Sequence, residues 1–166
     1  VDVILDIMIH DIDIILNLVG APVTSIHAVG VPVVSNQTND IANVRIEFAT
    51  GCIANVTASR ISVKEMRKIR IFQQDAYISI DYAAQDIEVY RKMELGDQYD
   101  TPQIMYDDID IKQADSLKEE IRSFVNAVQT RCPPAVSGEA GRNALKIALE
   151  IVQQVEARKQ ALPQMR

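Results

Sequence analysis

In the opening residues an apolar run carries a single polar line. From Ile4 to Val19 the chain reads ILDIMIHDIDIILNLV and then stops at Gly20-Ala21-Pro22. Gly just past the last apolar residue, with Pro after it, is a helix stop, so the segment predicts a helix of about four turns. Asp6, His10, Asp13 and Asn17 are spaced 4, 3 and 4, which lines them up on one narrow stripe. Nearly every other position is Ile, Leu, Met or Val. Such a helix is buried over most of its circumference, with one line left facing something wet or chemical.

The period then changes. Val23–Val34 is β-branched and partly alternating, and Ile41–Ala49 and Cys52–Ile61 flank Thr50-Gly51 as a hairpin. Lys68–Phe72 and Ala76–Tyr82 form a further pair around Gln73–Asp75, with Ile87–Lys92 and Ile104–Ile111 as later strands and residues 93–103 as a loop. Strand runs joined by short polar turns, with no helical period between them, predict a mostly antiparallel sheet. Ser116-x-x-Glu119 reads as a capping box opening a helix to about Arg131. Pro133-Pro134 ends it. Ser137-Gly138-Glu139 then starts a last helix, with Ala144, Leu145, Ala148, Leu149, Val152 and Val155 at helical spacing.

The order helix, sheet, two helices predicts one α+β domain over residues 1–166: an open, mostly antiparallel sheet with helices packed on one face. Alternation puts Val44, Ile46, Phe48, Val56 and Ala58 on the apolar face. Asn43, Arg45, Glu47, Thr57 and Ser59 fall on the other, a mixed surface that suits either solvent or a partner sheet.

Composition narrows the function. At 48% hydrophobic and 24% charged the chain is globular rather than disordered. No apolar run approaches the roughly 20 residues of a membrane span, and no basic leader is visible, so a cytoplasmic protein is expected. The net charge of -6 argues against nucleic acid, which calls for surplus Lys and Arg. Cys52 and Cys132 lack zinc-ligand spacing and fit a reducing compartment.

The polar stripe is the sharpest chemical feature. A carboxylate four residues before a histidine on one helix face can orient the imidazole and raise its basicity. His10 is then a candidate general base for a hydroxyl proton, assisted by Asp6, with Asp13 placed to bind a substrate hydroxyl. The same spacing also fits a solvated stripe on a half-buried helix, and a single helix face rarely surrounds a metal, so no metal site is expected. His27 sits in a strand with no acidic neighbour and reads as a core or edge residue. Arg60, Lys64, Arg67, Lys68 and Arg70 crowd a short segment of an acidic chain. Arg60 and Lys64 fall at a strand end and could hold a carboxylate or phosphate. Arg67, Lys68 and Arg70 read better as a solvated strand pair balancing acids such as Glu65. No GxGxxG, P-loop or nucleophile elbow occurs, so no dinucleotide site is recognisable.

Asp6-Ile-Met-Ile-His10-Asp-Ile-Asp13 resembles the D-x-x-x-H-x-x-D helix of the Gfo/Idh/MocA oxidoreductases. Phe48–Ala54, Ser59–Ser62, the R-K-I-R-I-F strand followed by Ala76–Tyr82, and the S-G-E-A-G helix start resemble family features in family order, over essentially the whole chain. The wording around His10 and the S-R-x-S-x-K segment are most similar to members that act on nucleotide-sugars such as UDP-N-acetylglucosamine at the 3-position. The resemblance implies hydride transfer from a sugar, nucleotide-sugar or cyclitol hydroxyl to NAD or NADP, with His10 as proton acceptor, Asp6 assisting and Asp13 near the substrate. It also implies a homodimer through the open sheet face. The family's Rossmann domain, with its glycine-rich loop and an E-K-P segment bearing a catalytic lysine, has no counterpart here. The expectation is therefore a substrate-binding and dimerising half, inactive and without cofactor alone, or else a non-catalytic dimerising or ligand-binding module derived from it.

Overall fold

The computed structural model describes residues 1–35, 37–64, 66–93 and 103–161. The chain divides into two compact units, Val1–Ser62 with Phe124–Arg166, and Val63–Ser123.

The first unit is a three-stranded antiparallel sheet, β1 (Val23–Val31), β2 (Ile41–Phe48) and β3 (Ile53–Ser59), in the order β1-β2-β3. Helices cover one face. A π-helical turn, Ile4–Met8, runs straight into α1 (Ile9–Val19), and α3 (Gly138–Ala161) packs against both the helix and β1. The alternation expected in β2 and β3 holds: Ala42, Val44, Ile46, Phe48, Val56 and Ala58 are buried beneath the helices, joined by Ile4, Met8, Ile12, Ala148, Ile151 and Val155. α1 ends as expected at Gly20, whose φ of 61° is left-handed and whose N–H donates to the Leu16 carbonyl at 3.0 Å. Gly30 permits close packing of another kind. A Cβ there would stand 2.9 Å from both Asn39 Oδ1 and Val155 Cγ1.

The second unit is a four-stranded antiparallel meander, β4 (Lys68–Phe72), β5 (Ala76–Asp81), β6 (Asp86–Met93) and β7 (Gln103–Asp108). Registered pairs bring Phe72, Tyr77, Tyr90 and Tyr106 into one row across all four strands. Successive ring centroids are 5.0, 5.6 and 5.1 Å apart. The helix α2 (Ser116–Thr130) follows.

The α+β class and antiparallel pairing agree with the sequence pattern, and four details differ. The strands form two sheets of three and four rather than one. β1 stops at Val31 instead of Val34, because Pro32 lacks an N–H and the N–H groups of Val33, Val34 and Ser35 turn to the Asp40 carboxylate. α2 is capped one residue earlier than the Ser116-Glu119 box suggested. Asp115 Oδ1 accepts from the Lys118 N–H at 3.2 Å, leaving Ser116 as the first helical residue. In α3, Leu145 and Leu149 are each 44% exposed, and Ile147 and Ile151 face inward in their place. The expected loop lies, apart from its end residues Met93 and Gln103, outside the described residues, as does Glu65.

Candidate active-site wall

Three segments of the first unit meet at the start of the helix. Asp2 accepts the Ile4 N–H on Oδ1 at 2.9 Å, so its side chain caps the first turn. Its other oxygen accepts both the backbone and side-chain N–H groups of Asn39, and the Val3 N–H returns a bond to the Asn39 carbonyl at 3.1 Å. The next residue, Asp40, is almost fully buried. Its carboxylate accepts from the backbone of Val33, Val34 and Ser35 and from the Ser35 hydroxyl, at 2.7–2.8 Å. The backbone bonds from Ser35 and Val33, against the opposing effect of desolvation, hold the Asp40 carboxyl far below the usual carboxylate range. Asp40 then passes the anchor on, since its carbonyl accepts the Arg60 N–H at 3.0 Å.

The result is a fixed relation between the helix start and the end of β3. Arg60 reaches back to Asp6, Nη2 to Oδ2, at 3.4 Å. This ion pair departs from the arrangement read off the stripe: Asp6 is held by Arg60, not by His10. The reason is local as well as tertiary. The first turn is π-helical, with the Ile9 N–H directed to the Ile4 carbonyl five residues back, and insertions of this kind re-aim side chains and recur at functional sites. With side chains 29% and 57% exposed, such a pair contributes only about 0–1 kcal/mol.

His10 is exposed and has no hydrogen bond or ion pair among the described residues. Asp13 is half-buried and is met by Asn17, whose Nδ2 donates to its carbonyl at 2.9 Å and to Oδ1 at 3.4 Å. Asp6, His10, Asp13 and Arg60 thus share the first unit. Lys64 is exposed and belongs to the second, as do Arg67, Lys68 and Arg70. Lys68 pairs with Asp81 at 3.1 Å. His27 is exposed on the edge strand β1, opposite Arg45 of β2.

Asp2, Asn39 and Asp40 escaped the sequence reading. Their only signal was a polar N-D pair before a strand, and the bonds that give it meaning span up to 37 residues. A shallow groove at the far end of α1, between Gly20–Ser25 and Asn143, Lys146 and Glu150 of α3, does not include the stripe. Among the described residues no group of three or more His, Cys, Asp or Glu side chains could hold a metal. Both sheets are antiparallel and no glycine-rich strand-to-helix turn of the Rossmann type occurs among the described residues.

Residues 2–79 match the sequence profile of the GFO/IDH/MocA C-terminal domain. The chain is 36% identical over 157 residues to UDP-N-acetylglucosamine 3-dehydrogenase of Acidithiobacillus ferrooxidans, covering 95% of this chain and 50% of that protein. It is 28% identical to myo-inositol 2-dehydrogenase of Thermotoga maritima, covering 93% and 47%. The solved structure of the Acidithiobacillus enzyme superposes with a TM-score of 0.85. Levoglucosan dehydrogenase in complex with NADH and L-sorbose, 19% identical over 92% of this chain and 47% of its own, shares the fold with a TM-score of 0.75. The chain spans about half the length of the curated relatives it matches. Over residues 2–79, and in its α+β fold, the chain is similar to the GFO/IDH/MocA C-terminal domain.

Proposed function

We propose that this chain is the substrate-binding half of a dehydrogenase acting on a hydroxyl of a sugar or nucleotide-sugar, and that His10 is its general base. The observation that carries the reading is the solvent-open imidazole of His10, set between Asp6 and Asp13 on a helix that meets the core through Ile12, flanked by Ile9, Leu16 and Val19. An imidazole without a competing partner is open to take the proton of a substrate hydroxyl. Asp13 and Arg60 line the substrate wall of the first unit, and Lys64, in the second unit, is a separate candidate anion contact. Relatives named for UDP-N-acetylglucosamine and myo-inositol support a polyhydroxylated substrate. The hydride acceptor, NAD or NADP, is bound by residues outside this chain. Exposed, unpaired Cys52 and Cys132 favour a reducing, cytoplasmic setting.

The test is kinetic, in the complete protein carrying this chain. His10→Ala is expected to lower kcat by about 10²–10⁴-fold while leaving nucleotide affinity unchanged. Full turnover in that variant removes His10 from the chemistry and leaves a ligand-binding module.

A further inference from the structure

Asp6 has two possible partners and holds one. His10 lies four residues on, just past the π-helical turn that carries Asp6, exposed and unpartnered among the described residues. Arg60 lies 54 residues away and engages Asp6 through one contact at 3.4 Å. The backbone is pinned on both sides of this pair. The Asp6 N–H donates to the Asp2 carbonyl, the Asp2 carboxylate is bound by Asn39, and the Arg60 N–H donates to Asp40. A change of partner at Asp6 is therefore confined to side-chain rotation.

The two groups differ in what can displace them. A guanidinium carries five N–H donors, of which Asp6 engages one. Arg60 is exposed, and phosphoryl oxygens take such a fork in bidentate fashion, more strongly than a single long contact. The other charged groups on the His10 helix are acidic, Asp11 and Asp13, so Arg60 is the cation on which an arriving anion and Asp6 compete.

We propose that Arg60 is a positioning residue that holds Asp6 away from His10 until a phosphoryl group of the substrate takes its guanidinium, whereupon Asp6 turns to His10. This rests on the reading of His10 as the base, and it makes that base responsive to anionic substrates over neutral sugars. Orientation and basicity of the imidazole are then supplied only when the phosphoryl group is seated.

The experiment follows the His10 ring by NMR titration in the complete protein, with His10→Gln to assign the signal. Arg60→Gln is compared with wild type in two backgrounds, native and Asp6→Asn. Any direct charge effect of Arg60 on His10 is common to both backgrounds. Release of Asp6 adds roughly a further twofold, the effect of one charge pair at i, i+4, in the native background alone. Inorganic pyrophosphate added to wild type is expected to reproduce the Asp6-dependent part. Equal effects in both backgrounds overturn the exchange, and pyrophosphate binding that survives Arg60→Gln overturns the role of the guanidinium. Because ring titration needs no turnover, a failed exchange stays distinct from a failed assignment of His10 as base, which His10→Ala kinetics report.

Discussion

At the scale of single residues, the buried carboxylate of Asp40 does what no neighbour in sequence announces. Four donors from Val33–Ser35 surround it, and those bonds favour its charged form well below the ordinary value of 3.8. Between the lowered native value and the ordinary one, the unfolded chain binds more protons at this site than the folded protein. Stability should therefore rise with pH through that window, be fully present above about pH 4 and be lost as pH falls below it. Asp40→Asn keeps one acceptor oxygen in the loop and can donate to the Ser35 hydroxyl, but it cannot titrate. Denaturation midpoints measured from pH 2 to 5 should be flatter in Asp40→Asn than in wild type, and parallel curves would dismiss Asp40 as their cause. The stripe residues Asp6, His10 and Asp13 were legible because helical spacing is local. Asp40 and the Asp6–Arg60 pair were not, because a carboxylate in a sequence does not show which distant donors will reach it.

Elements were more legible than their faces. Every strand expected from the pattern is present, since β-branched runs bounded by turns leave little choice of state, and α1 stops where Gly20 allows. The side on which α3 is buried was a different matter. A helix with Leu145 and Leu149 on one stripe and Ile147 and Ile151 on another offers two apolar faces, and only the sheet and α1 decide between them. The chosen face makes a direct prediction. Ile151 is fully buried against α1 and β1, whereas Leu149 keeps 44% of its surface exposed. Ile151→Ala should lose about 2–5 kcal/mol of stability by emptying packed volume, and Leu149→Ala well under half of that. Similar losses in chemical denaturation would mean that the face containing Leu149 is covered in solution.

For the whole molecule, the partner is a matter of surface rather than of sequence motif. The outward face of β1–β3 carries His27, Arg45, Asn43 and Thr57, a mixed surface in which Arg45 pairs with Glu47 at 3.1 Å and Thr57 donates to Asn43 at 2.7 Å. Polar groups satisfied in this way can be covered without being stranded. The second sheet presents its row of four aromatic rings, with Phe72 76% and Tyr106 49% exposed at the two edge strands. Large exposed aromatics are enriched at interface cores and uncommon on solvated monomers. A homodimer through the sheet is therefore expected, with the aromatic row inside the contact. Light scattering on the complete protein at micromolar concentration should give twice the chain mass, and Phe72→Ala with Tyr106→Ala should weaken association by at least about tenfold, since aromatic anchors commonly contribute more than 1 kcal/mol each. Monomeric mass in wild type would rule out the dimer. A dimer indifferent to both substitutions would move the contact off the aromatic row, leaving the mixed face of β1–β3 as the surface to alter next.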